Sequence, residues 1–125
     1  MDFERASDQE LNVKLTELEL TKRYPKAKSI DFDGTKNCFW VHDTGFSSFK
    51  VEEYCTDISA TWPLMIEHGI SIQSPSLCGS IDEWTAKYWE SDDENFIHLV
   101  GHDKDPLRAV VVCLIKTLES KHERT

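Results

Sequence analysis

The sequence predicts an α+β fold: a small antiparallel sheet packed with an N-terminal helix, a short middle helix and a long C-terminal helix. Three observations carry this. Leu107, Val110, Val111, Leu114, Ile115 and Leu118 recur at helical spacing and form one broad apolar stripe that cannot stay in water. Between Ala27 and Phe49 the pattern changes to short extended runs broken by turn signals. The length, 125 residues, suits one core able to bury roughly two-thirds of the unfolded surface. No repeat, linker or low-complexity stretch divides the chain. A single α+β domain over 1–125 is therefore expected, with 1–6 and 120–125 fraying.

Ser7 and Glu10 have the spacing of a capping box, with Leu11, Leu15 and Leu18 following at i, i+4, i+7. A helix from about Asp8 to Lys22 follows, ended by Tyr24-Pro25. Ser29-Ile30-Asp31-Phe32-Asp33 alternates, Asp33-Gly34 signals a tight turn, and Cys38 to Val41 resumes extended character. A second turn at Asp43-Thr44-Gly45 precedes Phe46 to Val51. Asp57 can cap a helix through Trp62 and Met65 to His68, with Gly69 placed as its left-handed end. Pro63 lies inside that helix and predicts a kink or a late start. Ile70 to Gln73, Glu83 to Trp89 and Phe96 to Val100 read as strands, separated by a Ser-Pro loop and the acidic turn Glu90 to Asn95. In the second of these, Trp84, Ala86 and Tyr88 share one face, and Thr85, Lys87 and Trp89 the other. Asp105 then caps the last helix, and Pro106 takes the first helical position, where a missing N–H costs nothing.

The chain carries 14 basic and 23 acidic residues, a net charge of −9. That balance argues against a surface that tracks phosphates. It permits a basic partner, and solubility alone would explain it. Cys38, Cys55, Cys78 and Cys113 are widely spaced and form no C-x-x-C pair, so buried reduced thiols are expected, with no metal and no cofactor. The polar N-terminus and the short apolar run from Ala109 to Ile115 predict no membrane segment and a cytoplasmic protein.

Few constellations carry chemistry. Asp31-Phe32-Asp33-Gly34-Thr35 fits the D-x-D-G-T nucleophile motif of haloacid-dehalogenase-type phosphatases. That motif needs a buried parallel strand before it and a helix soon after, and neither is in the pattern. An Asp-Gly hairpin turn is the simpler reading. His98 and His102 are four apart on an extended segment, where they cannot converge on a metal as they would on a helix. Trp40, Trp62, Trp84 and Trp89 are many for a small domain, and one or two are expected at an interface. Arg108 stands in the first turn of the last helix, where positive charge opposes the dipole, so pairing with Asp103, Asp105 or Glu67 is expected.

Three blocks together carry a resemblance. Trp62-Pro63-Leu64-Met65-Ile66-Glu67-His68-Gly69-Ile70-Ser71 resembles the W-P-(I/L)-I-x-E-x-x-I-S segment of the NinX-like proteins, which lambdoid phages and prophages encode. Asp105-Pro106-Leu107-Arg108-Ala109 is similar to that family's N-P-L-R-A helix start, with Asp in place of Asn. Ser7-Asp8-Gln9-Glu10-Leu11-Asn12 resembles its S-D-x-E-I-N opening, and Trp84 falls where an intervening tryptophan is usual. About half the chain is covered, and Lys22 to Phe49 and the acidic turn do not match. The resemblance implies a phage or prophage accessory protein in a bacterial cytoplasm and implies no known activity.

The expected function is thus a non-enzymatic, acidic protein–protein interaction module that binds a host or phage protein. Trp62, Trp84, Trp89 and Arg108 are its candidate contacts; Ser7, Glu10, Pro63, Gly69, Asp105 and Pro106 are structural. One alternative is a metal-dependent phosphatase or nuclease using Asp31 and Asp33. The other is a single-stranded nucleic-acid binder using the Lys22, Arg23, Lys26 and Lys28 cluster. A second apolar sheet face would favour a homodimer.

Overall fold

The computed structural model describes residues 2–23, 27–33, 38–43, 48–76, 82–91 and 96–123. Among these residues, three helices run at Asp8–Arg23 (α1), Ile58–His68 (α2) and Pro106–Glu123 (α3), and a 3-10 turn at Phe3–Arg5 precedes them. The described residues also form six strands, Ala27–Asp33 (β1), Cys38–Asp43 (β2), Ser48–Lys50 (β3), Ser71–Gln73 (β4), Trp84–Ser91 (β5) and Phe96–Asp103 (β6), which makes the architecture α+β.

The helix ends follow the chemistry of their caps. The Ser7 N–H donates to Glu10 Oε1 at 3.2 Å and the Glu10 N–H to Ser7 Oγ at 3.1 Å, the reciprocal capping box at the start of α1. The Ser59 N–H donates to Asp57 Oδ1 at 3.0 Å at the start of α2. Gly69 ends that helix at φ 69°, ψ 43°, with its N–H bonded to Met65 O. The Leu107 N–H donates to Asp105 Oδ1 at 2.8 Å. Pro63 neither delays nor interrupts α2, which runs from Ile58 through His68.

Where one sheet was expected, two form. β1-β2-β3 and β4-β5-β6 are separate three-stranded antiparallel sheets, with α2 between them in sequence. β6 also extends three residues past the expected Val100, because Gly101, His102 and Asp103 continue to pair with Ala86, Thr85 and Trp84. The Asp33-Gly34 and Asp43-Thr44-Gly45 turns, the Tyr24-Pro25 helix end and most of the acidic turn lie outside the described residues.

The core is α3 and what surrounds it. Every residue from Ala109 to Ile115 is buried, as are Thr117 and Leu118, so the helix is covered well beyond a single stripe. Leu11 and Leu15 of α1, Leu64 and Met65 of α2, and Ala86 and Tyr88 of β5 close on it. The N-terminal residues expected to fray are docked instead, with Phe3 and Ala6 buried in the same cluster. Cys55 and Cys113 are buried free thiols, and burial pushes them up to about 12 and about 11, which leaves them unreactive at neutral pH. No described helix is long and apolar enough to cross a membrane.

α3 approaches β6 so closely that Gly101 has no room for a side chain. A Cβ there would lie 2.3 Å from Ala109 O and 2.7 Å from Cys113 N, both backbone atoms. Gly101→Ala is therefore expected to destabilise the fold by about 1–3 kcal/mol or more, read from the urea midpoint. An unchanged midpoint would contradict this packing.

Candidate functional site

Three groups of residues compete for a functional role: the exposed aromatics, the Asp31 neighbourhood and a buried polar cluster between α1 and α2.

The alternation of β5 separates its two tryptophans as expected. Trp84 packs against the core together with Ala86 and Tyr88, while Trp89 stands on the opposite face with 64% of its surface exposed. Trp89 meets Phe96 edge-on at 6.1 Å between centroids, and Phe96 is equally exposed. Trp62 lies on α2, 53% exposed, and Ile58 and Ile66 flank it one turn away on each side at 61% and 66%. The spacing i, i+4, i+8 aligns these three along one helix face, beside the stripe of buried Thr61, Leu64 and Met65. Of the candidate contacts, Trp62 and Trp89 are thus open to solvent and Trp84 is tied to the core.

Arg108 is a tether. Its Nε donates to Asp103 Oδ2 at 3.0 Å, its Nη2 to Ala6 O at 2.7 Å, and its Nη1 to Asp8 Oδ1. Asp103 was among the expected partners. Asp105 instead caps α3, and the further partner, Asp8, comes from the start of α1. Burial opposes the guanidinium charge, but the hydrogen bonds to Asp8 and Asp103 outweigh it and raise the pKa. Lys116 plays a similar part, donating to Glu4 Oε1 at 2.8 Å and Val100 O at 2.9 Å. Burial works against the Glu4 charge, yet the Lys116 hydrogen bond prevails and holds its carboxyl below the usual range.

Asp31 sits on β1, which pairs antiparallel with β2, so it lacks the parallel strand of a phosphatase frame. It accepts a hydrogen bond from Ser29 Oγ at 2.9 Å, and His42 Nε2 lies 3.4 Å from its carboxylate. His42 Nδ1 in turn lies 2.8 Å from Ser48 Oγ. The Ser48–His42–Asp31 chain has the order of a hydrolytic triad. However, its carboxylate is solvated, whereas a working triad buries the aspartate that orients the imidazole. Asp33 lies at the end of β1 opposite Cys38. His98 and His102 occupy one face of β6, roughly 13 Å apart along the strand, and His102 Nδ1 is engaged with Thr85 Oγ1 at 3.0 Å. The side chains of the Lys22, Arg23, Lys26 and Lys28 cluster lie outside the described residues.

The third group was not visible in the sequence. Asn12, Thr16 and Glu19 form a buried polar stripe on α1 beside Leu11 and Leu15. Asn12 accepts from the Cys55 N–H at 3.1 Å, and Thr16 donates to Asn12 O at 2.8 Å. Glu19 has no such anchor for its second oxygen. Its side chain is 2% exposed and faces His68, the last residue of α2, whose side chain is 7% exposed. His68 Nε2 lies 3.4 Å from both Glu19 Oε1 and Glu67 Oε2, without hydrogen-bond geometry to either. The other ring nitrogen, Nδ1, is 3.3 Å from Lys121 Nζ, which also stands 5.2 Å from the centre of the Tyr88 ring. One oxygen from each glutamate and one imidazole nitrogen lie within 4.8 Å of one another, a set that could hold a cation.

Arg108→Met is expected to cost about 2–3 kcal/mol in chemical denaturation, because it strands the half-buried Asp103 carboxylate and releases the 2–7 segment. Arg108→Lys should recover only part, since one ammonium cannot reach three acceptors. A loss under about 0.5 kcal/mol for Arg108→Met would contradict the tether.

No protein-family model matches the chain, and no curated protein is detectably similar to it in sequence. The resemblance to NinX-like proteins therefore rests on its three blocks of residues alone.

Proposed function

We propose that this chain is a non-enzymatic, acidic interaction module, an accessory protein of phage or prophage kind that binds a host or phage protein in the bacterial cytoplasm. The observation that supports this is the Ile58–Trp62–Ile66 face of α2, three large apolar side chains more than half exposed in a line. Burying each against a partner is worth about 1.5–3 kcal/mol, and a tryptophan flanked by aliphatics is the usual composition of an interface anchor. The exposed Asp57 directly precedes Ile58 in the chain, which favours a partner whose apolar groove has a basic rim. The net charge of −9 works in the same direction and against nucleic acid.

The alternatives draw less support. A phosphatase using Asp31 and Asp33 lacks the strand–helix frame that chemistry requires, and a nucleic-acid binder would need a basic face on an acidic protein.

Affinity capture of the tagged protein from phage-infected or prophage-induced cells, with and without nuclease, tests the proposal. A stoichiometric protein partner is expected to survive nuclease. Trp62→Asp should reduce its recovery about tenfold or more while leaving the thermal midpoint within a few degrees of wild type. Recovery abolished by nuclease, or unaffected by Trp62→Asp, would overturn it.

A further inference from the structure

The buried cluster between α1 and α2 has a geometry that no protein–protein role requires. We infer that Glu19, Glu67 and His68 form a binding site for a divalent transition-metal ion of the zinc class. His68 Nε2 and one oxygen from each carboxylate are the ligands.

Spacing is the first support. Ligand atoms bound tetrahedrally at about 2.0–2.1 Å from zinc stand roughly 3.3 Å apart. His68 Nε2 stands 3.4 Å from Glu19 Oε1 and 3.4 Å from Glu67 Oε2, and all three ligand atoms fall within 4.8 Å of one another. Small rotamer adjustments complete the set. Three protein ligands leave a fourth position for water, and Glu67, 38% exposed, opens the site to solvent.

The second support is independent of spacing. Glu19 Oε2 and His68 Nε2 are both buried and have no hydrogen-bond partner. A carboxylate withdrawn from water is retained only where something compensates it. Lys121 does not, because its Nζ faces Nδ1 on the other side of the imidazole. A cation held between His68 Nε2 and the Glu19 carboxylate supplies that compensation.

Imidazole as a donor favours zinc, cobalt or nickel over magnesium or calcium, which take oxygen ligands. With the ion on Nε2, Nδ1 keeps the ring proton, and Lys121 turns towards the Tyr88 ring that it already approaches. The ion would join α1 to the C-terminal end of α2, the helix that carries Trp62.

The test uses the full chain after chelation and dialysis, with Co²⁺ as the spectroscopic probe and Zn²⁺ as its competitor. One Co²⁺ per chain is expected, with the visible absorption of a tetrahedral or five-coordinate site, bleached by one equivalent of Zn²⁺. Zinc at a hundredfold excess over its Kd should raise the Tm by roughly 10 °C. His68→Gln should abolish the spectrum. Glu67→Gln, at an exposed position that does not threaten the fold, should weaken binding on the order of tenfold or more. Lys121→Met, which removes the competing cation, should tighten it. No uptake of Co²⁺ or Zn²⁺ at micromolar concentration, or uptake that persists in both Glu67→Gln and His68→Gln, would overturn the site.

Discussion

The rest of this structure depends on how closely α3 lies against β6. At Gly101 the helix backbone comes within van der Waals contact of the strand, so near that Ala109 O and Cys113 N occupy the space of a side chain. That approach buries every residue from Ala109 to Ile115 and makes α3 an axis rather than a layer. α1 and α2 then pack on it, and the N-terminal turn joins the same core through Phe3. Two long cationic side chains of α3 reach outward from this axis. Arg108 ties down Asp8 and Ala6, and Lys116 ties down Glu4 and the Val100 carbonyl. Apolar burial supplies the driving force, and these charge-assisted bonds fix where the N-terminal segment sits.

Much of this was legible in the residues because caps are local. Ser7 with Glu10, Asp57 with Gly69, and Asp105 with Pro106 each state a helix boundary within a few positions, and each boundary is where it was expected. The alternation around Trp84 and Trp89 was legible for the same reason, since a strand has a period of two. Pairing between strands is not local. Nothing between Ala27 and Asp103 states that β3 stops its sheet and β4 begins another, so one sheet was expected where two form. Arg108 shows the same boundary of inference: its need for a carboxylate was readable, but Asp8, a hundred residues away, was not.

Glu19 is the most instructive miss. On a helical wheel, Asn12, Thr16 and Glu19 read as the edge of a solvated face, yet all three are buried. The available signal was that they keep the same i, i+4, i+7 spacing as Leu11, Leu15 and Leu18, one step on. A polar stripe parallel to the apolar one would be expected to meet polar partners. Those partners, the Cys55 N–H and His68, come from segments far along the chain. The consequence is that α2 has two distinct sides. Its inner side anchors through Thr61, Leu64 and His68, while Ile58, Trp62 and Ile66 remain outside. A helix held so firmly from within can present an apolar face outward without collapsing onto its own domain.

Native-state hydrogen exchange tests most directly whether α3 is the axis of the fold. The amides from Val110 to Ile115 should exchange only through global unfolding, with β5 and β6 close behind. The sheet of β1, β2 and β3, which touches the core chiefly through α1, should open at lower free energy. If the slowest amides fell in that first sheet, or if the centre of α3 exchanged by local opening, the dependence of the structure on the α3–β6 contact would be contradicted.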